Sequence, residues 1–295
     1  MVLILSIFFP IYAGAYPQRV ATTIVMYATL ALSWDMMFRS GQPSLSVAGF
    51  FGLGGYAAAL TFLDWEINPL ISIGIGSVFS FMIAFILGLV ILRIRGLYFA
   101  IATMALSEIF RVIVMNWHGL TGGPSGKALP SAIFDGDSAR IYWLFLGLAI
   151  LTAIVSEIFQ RSRIHFALTS IRNNEIVAKS SGIDVFKYLV VVFGLTSALQ
   201  GLVGGAYVHS YAFISPEGSF HFNFVLLPVT MALFGGIYGT IGPIVGTVIL
   251  GVIGEYLKLK LPYGHLLVYG VIIVIVILFM PKGIVGTVKE KLHRR

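Results

Sequence analysis

The stretch Pro69 to Leu92 reads PLISIGIGSVFSFMIAFILGLVIL, with no charged side chain anywhere in it. About 20 apolar residues are what a helix needs to cross a bilayer, so this run alone places the chain in a membrane. Other runs surround it: Met1–Tyr16, Val20–Phe38, Ser44–Leu63, Leu97–Trp117, Ile141–Phe159, Phe186–Tyr207, Phe222–Gly236, Thr240–Leu257 and Leu261–Met280. Barrel strands would alternate polar and apolar residues over about ten positions, and these runs do not. The sequence therefore predicts an all-α polytopic membrane protein with about ten transmembrane helices, forming one transmembrane domain over residues 1–295. At 58% hydrophobic and 11% charged residues, the composition holds more apolar material than a soluble core could hide. The first run is short for a span. Ala13-Gly14-Ala15 resembles a signal-peptidase site, but no Lys or Arg precedes the run, which favours an uncleaved first helix.

Several function classes fall away. Cysteine is absent, which removes disulfides, thiolate metal sites and Cys nucleophiles. The net charge of +7 could suggest nucleic acid, but the basic residues sit at helix ends and not on one accessible face. Thr121–Ala128, TGGPSGKA, is the nearest approach to a phosphate loop; it has Thr where the motif needs its first Gly and Ala where it needs a hydroxyl. Gly52-Leu-Gly54 half-fits a dinucleotide pattern, yet no strand precedes it, and helix packing is the stronger reading. No HExxH or GxSxG pattern occurs, so the chain is read as no enzyme.

The longest polar segment is Arg161–Lys187, RSRIHFALTSIRNNEIVAKSSGIDVFK. Drawn as one helix from Ile164, it gathers Ile164, Ala167, Leu168, Ile171 and Ala178 on one stripe. Glu175 falls in the middle of that stripe. A carboxylate there needs a partner once desolvated, which a groove on another protein could supply. The plainer reading is an amphipathic connector in which Lys179, at i+4, pairs with Glu175. Gly182 can end the helix. If this segment is cytoplasmic, alternation puts thirteen Lys and Arg inside, Arg39, Arg93, Arg95 and the basic tail 281–295 among them, and five outside. That asymmetry follows the positive-inside rule.

Charges inside the spans are scarce. Glu108 and Arg111 lie at i, i+3 and can pair, either as a structural clamp or beside a solute path. Asp35, Glu157 and Glu255 stand near span ends, where exposure at the interface is expected. Ser44–Leu63 is rich in Gly and Ala, which lets neighbouring backbones approach closely.

Read together, Ser44–Tyr56 (SLSVAGFFGLGGY), Leu92–Thr103 (LRIRGLYFAIAT) continuing to Glu108-Ile-Phe-Arg111, Thr121–Gly126 (TGGPSG), Ser170–Glu175 (SIRNNE) with Gly182-Ile-Asp184, and Phe213–Glu217 (FISPE) resemble the LivM-type permease of branched-chain amino-acid ABC importers, in order over roughly residues 20–285. The resemblance implies a subunit of the bacterial inner membrane that imports branched-chain or other hydrophobic amino acids. Its implied partners are a second, LivH-like permease, two cytoplasmic ATPases that bind ATP and Mg, and a periplasmic substrate-binding protein docking on the His118–Arg140 and His209–His221 loops. This chain itself would hold no cofactor or metal and no nucleic acid; its other contacts would be the amino acid and membrane lipid. The polar segment 161–187 would be the cytoplasmic coupling helix, with Leu168, Ile171, Arg172, Glu175, Ala178 and Gly182 as coupling residues. It departs from the family motif where Ile176 and Val177 replace small residues. The translocation path is expected along Ser46, Gly49, Phe50, Gly54, Thr103, Ser107 and Glu108. Two alternatives stay open: a permease for urea or short amides in the same family, and a stand-alone secondary transporter or channel, which broken helices near Gly54 and Gly235 would suit.

Overall fold

Lipid offers the backbone no hydrogen-bond partner, so each apolar run must satisfy its own amides by coiling. The computed structural model describes residues 9–10, 12–260, 268, 270–271, 274, 278 and 283–293. In chain order its main helices are α1 (Ala15–Phe38), α2 (Val47–Trp65), α3 (Pro69–Ile91), α4 (Gly96–Asn116), α5 (Ser138–Arg161), α6 (Arg163–Asn173), α7 (Glu175–Ser180), α8 (Val185–Tyr211), α9 (Asn223–Gly235), α10 (Ile241–Lys260) and α11 (Gly283–His293). Eight stretches among the described residues are long and apolar enough to cross a membrane. They are α1 to α5, α8, α10 and the segment Pro216–Gly235 that contains α9. The fold is therefore an all-α polytopic membrane protein. Of the ten runs expected, Met1–Tyr16 and Leu261–Met280 lie largely outside the described residues.

Helix boundaries follow local chemistry. Asn68 Oδ1 accepts from Leu70 N at 2.9 Å with Pro69 at the first turn of α3, and Asp137 Oδ1 accepts from Ala139 N at 2.9 Å at the start of α5. Helix α8 runs further than the sequence predicts, to Tyr211. His209, expected in a loop, is buried inside that helix with Nε2 2.7 Å from Ser72 Oγ. The Ser72 hydroxyl partners one ring nitrogen, while the buried Nδ1 has no hydrogen-bond partner among the described residues.

α8 lies against α3, α2 and α1, and the contacts are made by small residues. A Cβ at Gly54 would collide with the Gly201 backbone, and one at Gly204 with the Phe51 carbonyl. Aromatic rings fill the space beside these crossings. Phe50 meets Phe110 and Phe193 edge-on at 5.8 and 5.5 Å, and Phe51 stacks on Phe224 at 4.2 Å.

One end of the bundle carries a buried polar hub. Asp35, expected to reach an interface, is fully enclosed and pairs with Arg39, also enclosed, at 3.0 Å. Arg39 also donates to Ser156 Oγ at 2.7 Å and to the Ser156 carbonyl at 3.2 Å. Ser156 Oγ lies 2.8 Å from Thr240 Oγ1, and Tyr238 N donates to Asp35 Oδ1 at 2.6 Å. The hub thus ties α1, α5 and the turn between α9 and α10. The two charges stay inside because each has a partner and further hydrogen bonds.

At the opposite end, β1 (Lys127–Ala128) pairs antiparallel with β2 (Phe213–Ile214), joining the α4–α5 and α8–α9 connections. Gly126 takes φ +69° there, and a Cβ would strike the Ile214 carbonyl, so glycine is required on both counts.

Asp35→Ala would leave Arg39 enclosed and unpaired, at an expected cost of about 3–5 kcal/mol. Unfolding of the purified protein in detergent measures this. The double change Asp35→Leu, Arg39→Met removes both charges and should recover most of the loss.

Candidate functional site

The polar segment lies at the hub end of the bundle. Ser162 Oγ accepts from Ile164 N at 3.2 Å and starts α6. Asn174 ends it. This residue is extended, at φ −161°, and its Oδ1 accepts from Ile176 N at 3.0 Å and Val177 N at 3.2 Å, starting α7. The single helix expected from Ile164 is therefore two short ones, because an Asn side chain competes with the helical backbone and wins here. Glu175 moves from mid-stripe to the first turn of α7, where a negative charge is favourable.

The predicted stripe survives the break. Ala167, Leu168, Ile171 and Ala178 are buried against the bundle and Ile164 is partly buried. Glu175 is held from two sides. Arg95, in the turn between α3 and α4, donates from Nε to Oε2 at 2.8 Å and from Nη2 to Oε1 at 3.2 Å, while Lys179 Nζ lies 2.9 Å from Oε1. The Arg95 guanidinium is the main reason the carboxyl is held down to about 2. Of the two readings the sequence left open for Glu175, the internal pair with Lys179 is present, and Arg95 of this chain adds a second partner. Gly182 has φ +81° and turns the backbone out of α7.

Arg172 reaches in the other direction. Its guanidinium carbon sits 3.9 Å from the centre of the Tyr238 ring, and that ring stacks on Phe38 at 5.5 Å. Tyr238 also has φ +69°, a left-handed conformation that a ring-bearing residue holds only when its surroundings fix it. One set of side chains therefore faces outward: Phe166 is 70% exposed, Ile176 77% and Val177 58%. Arg95, Asp35, Arg39 and Tyr238 were not singled out from the sequence as site residues. The i, i+4 spacing of Asp35 and Arg39 was the one signal available for that pair.

The residues predicted for a path divide differently. Ser46, Gly49, Phe50, Gly54, Thr103 and Ser107 are buried between α2 and its neighbours. Gly49 N donates to Ser107 Oγ at 3.2 Å and Leu45 N to Thr103 Oγ1 at 2.9 Å, so these hydroxyls bind α4 to the start of α2. Glu108 is exposed and paired with Arg111. Beside it runs a groove of about 460 Å³ lined by Leu45, Met104, Ser107, Glu108, Phe222 and Val225 among others. Among the described residues no group of three or more His, Cys, Asp or Glu could hold a metal ion.

A bundle of apolar helices with a polar segment anchored across one end, and a largely apolar groove in its side, is the architecture of a multi-pass membrane protein. The family of the "branched-chain amino acid transport system / permease component" matches residues 16–277, and the chain belongs to it. Its members are permease subunits of ABC importers, not enzymes, and work with ATPase and substrate-binding partners. The chain is similar to the high-affinity branched-chain amino acid transport system permease protein LivM of Escherichia coli strain K12, at 24% identity over 319 aligned positions covering 98% of this chain and 75% of LivM. It is 24% identical to the probable branched-chain amino acid transport permease protein LivM of Methanocaldococcus jannaschii, over 80% of this chain and 77% of that one. It is also 22% identical to the ribose import permease protein RbsC of Escherichia coli strain K12, over 85% of this chain and 81% of RbsC. No solved structure matches it.

Glu175→Gln should raise hydrogen exchange of the α7 amides about fivefold at neutral pH, since a charge-assisted bond that is partly exposed is lost. In the unsubstituted protein the same bond persists through mild acid. A depressed carboxyl contributes its full stabilisation above the ordinary 4.5 and loses it only as pH falls toward about 2.

Proposed function

We propose that this chain is one half of a translocation path for branched-chain or other hydrophobic amino acids. The other half is a second, LivH-like permease, and two cytoplasmic ATPases that bind ATP and Mg drive the pair. The setting is a bacterial inner membrane, with the Glu175 end of the bundle in the cytoplasm and a substrate-binding protein docking at the β1–β2 end. The thirteen-to-five distribution of Lys and Arg supports that orientation.

One observation carries the coupling role. Phe166, Ile176 and Val177 point away from a segment whose other apolar side chains are all turned inward. Large apolar side chains exposed on an otherwise polar segment suit a contact with another protein. In this reading Leu168, Ile171 and Ala178 fasten the segment to the bundle, Glu175 and Arg172 lock it to Arg95 and Tyr238, and the three outward residues meet the ATPase. Movement of the ATPase then reaches α1 and the α9–α10 turn through rigid contacts, and helix groups rock to alternate access.

A second reading, a sugar permease, rests on the resemblance to RbsC. Uptake of leucine against ribose by cells carrying the complete importer separates the two, and leucine is expected to accumulate.

Ile176→Asp should lower ATP-driven uptake by at least about tenfold while the protein still inserts, because an interface hot spot contributes about 2 kcal/mol or more. Normal uptake would exclude coupling through this face. The chain has no cysteine. Asn173→Cys should therefore give a single thiol, labelled by an impermeant reagent only from the cytoplasmic side.

A further inference from the structure

Ile101, Met104, Ala105, Glu108 and Arg111 share one stripe of α4, and most of it is open to the outside. The Arg111 Nε lies 3.0 and 2.9 Å from the two Glu108 oxygens, and the Glu108 side chain is 58% exposed. Glu108 lies eight positions before Asn116, the last residue of the helix, so at 1.5 Å per residue it sits about 12 Å inside the helix end. A charge turned toward hydrocarbon at that depth costs several kcal/mol, whereas one facing a water-filled or ligand-filled groove does not. The groove is lined by apolar Met104, Phe220, Phe222 and Val225, with polar atoms at Ser107 and Glu108; Arg111 stands outside this lining, joined to it through Glu108, with Nη1 3.0 Å from Met115 Sδ. The Ser107 hydroxyl is already engaged by Gly49 N.

We infer that this groove is a binding subsite for a zwitterionic amino acid with an apolar side chain, in which Glu108 takes the α-ammonium, Arg111 takes the α-carboxylate, and Met104, Phe222 and Val225 cover the side chain. The inference rests on the transport reading above and adds the residues that would read the substrate.

The charge balance favours such an exchange. Opening one ion pair and inserting a zwitterion gives two ion pairs, with no net charge added to the site and none left unpaired. The guanidinium fork matches a carboxylate through two parallel hydrogen bonds. The volume of about 460 Å³ falls within the range of small-molecule sites, about 300–1,000 Å³. A pentose would have to bury several hydroxyls against walls that offer them few partners, and the groove selects against it for that reason.

The membrane complex purified through this chain and placed in nanodiscs can be labelled with a diazirine analogue of leucine, which needs no binding protein. Cross-links are expected on the Met104, Phe222 or Val225 wall. Leucine should compete, while leucinamide, which lacks the carboxylate, and 4-methylpentanoate, which lacks the ammonium, should compete at least about tenfold less well, as expected for losing a charge-assisted bond. Glu108→Gln should erase the preference for leucine over 4-methylpentanoate, and Arg111→Gln the preference for leucine over leucinamide. Competition in the unsubstituted protein tests the proposal even if a variant fails to fold. Equal competition by all three compounds, or cross-links elsewhere only, would overturn the subsite. If leucine uptake by the complete importer is intact in that case, the transport reading stands and the subsite alone is lost; if leucine uptake is absent, both fall.

Discussion

Backbone meeting backbone is what this structure depends on. Between helices in lipid there is no hydrophobic force of the kind that drives a soluble core, because acyl chains are as apolar as leucine. Association must come from close packing. Gly54 against Gly201, Gly204 against the Phe51 carbonyl, and Gly235 with Gly242 and Gly246 bring α2, α8, α9 and α10 to distances that no larger residue permits. The aromatic rings around Phe50 and Phe51 then fill the space beside these contacts. The glycines predicted to lie along a path have this packing duty first, and the open groove lies one helix face away, on α4.

Against that rigid frame, the polar groups are sorted by what they touch. Asp35, Arg39, Ser156 and Thr240 satisfy one another inside the bundle. Glu175, Arg95, Lys179 and Arg172 hold the surface segment down through ion pairs and one cation–π contact. Among the exposed, mostly polar residues of the segment stand three large apolar ones, Phe166, Ile176 and Val177. Ile176 and Val177 belong to that exposed apolar group, and the proposed coupling contact is placed there.

Hydropathy carried the architecture, since a run such as Pro69–Leu92 has one structural solution in a bilayer. The apolar stripe of the polar segment was legible for the same reason: Ala167, Leu168, Ile171 and Ala178 obey helical spacing across the break at Asn174. Three things were not. The break depends on which backbone amides the Asn174 side chain finds, a local competition that periodicity does not register. Lys179 was legible as a partner of Glu175 at i+4, but the other partner, Arg95, lies eighty residues away in sequence, and pairing over such a distance is invisible without the fold. Asp35 reads as a span-end charge because the position of an aspartate in the chain does not reveal whether Arg39 will turn back toward it.

The enclosure of Arg39 bears on biogenesis. A positive charge can bias how a nascent helix enters the bilayer only while it still feels the lipid headgroups and the insertion machinery. Once α5 has docked and Ser156 has captured the guanidinium, that charge belongs to the interior and speaks to neither. Whatever bias the Arg39 charge exerts on insertion is therefore confined to the stage before α5 docks, because afterwards the guanidinium is an enclosed part of the packing.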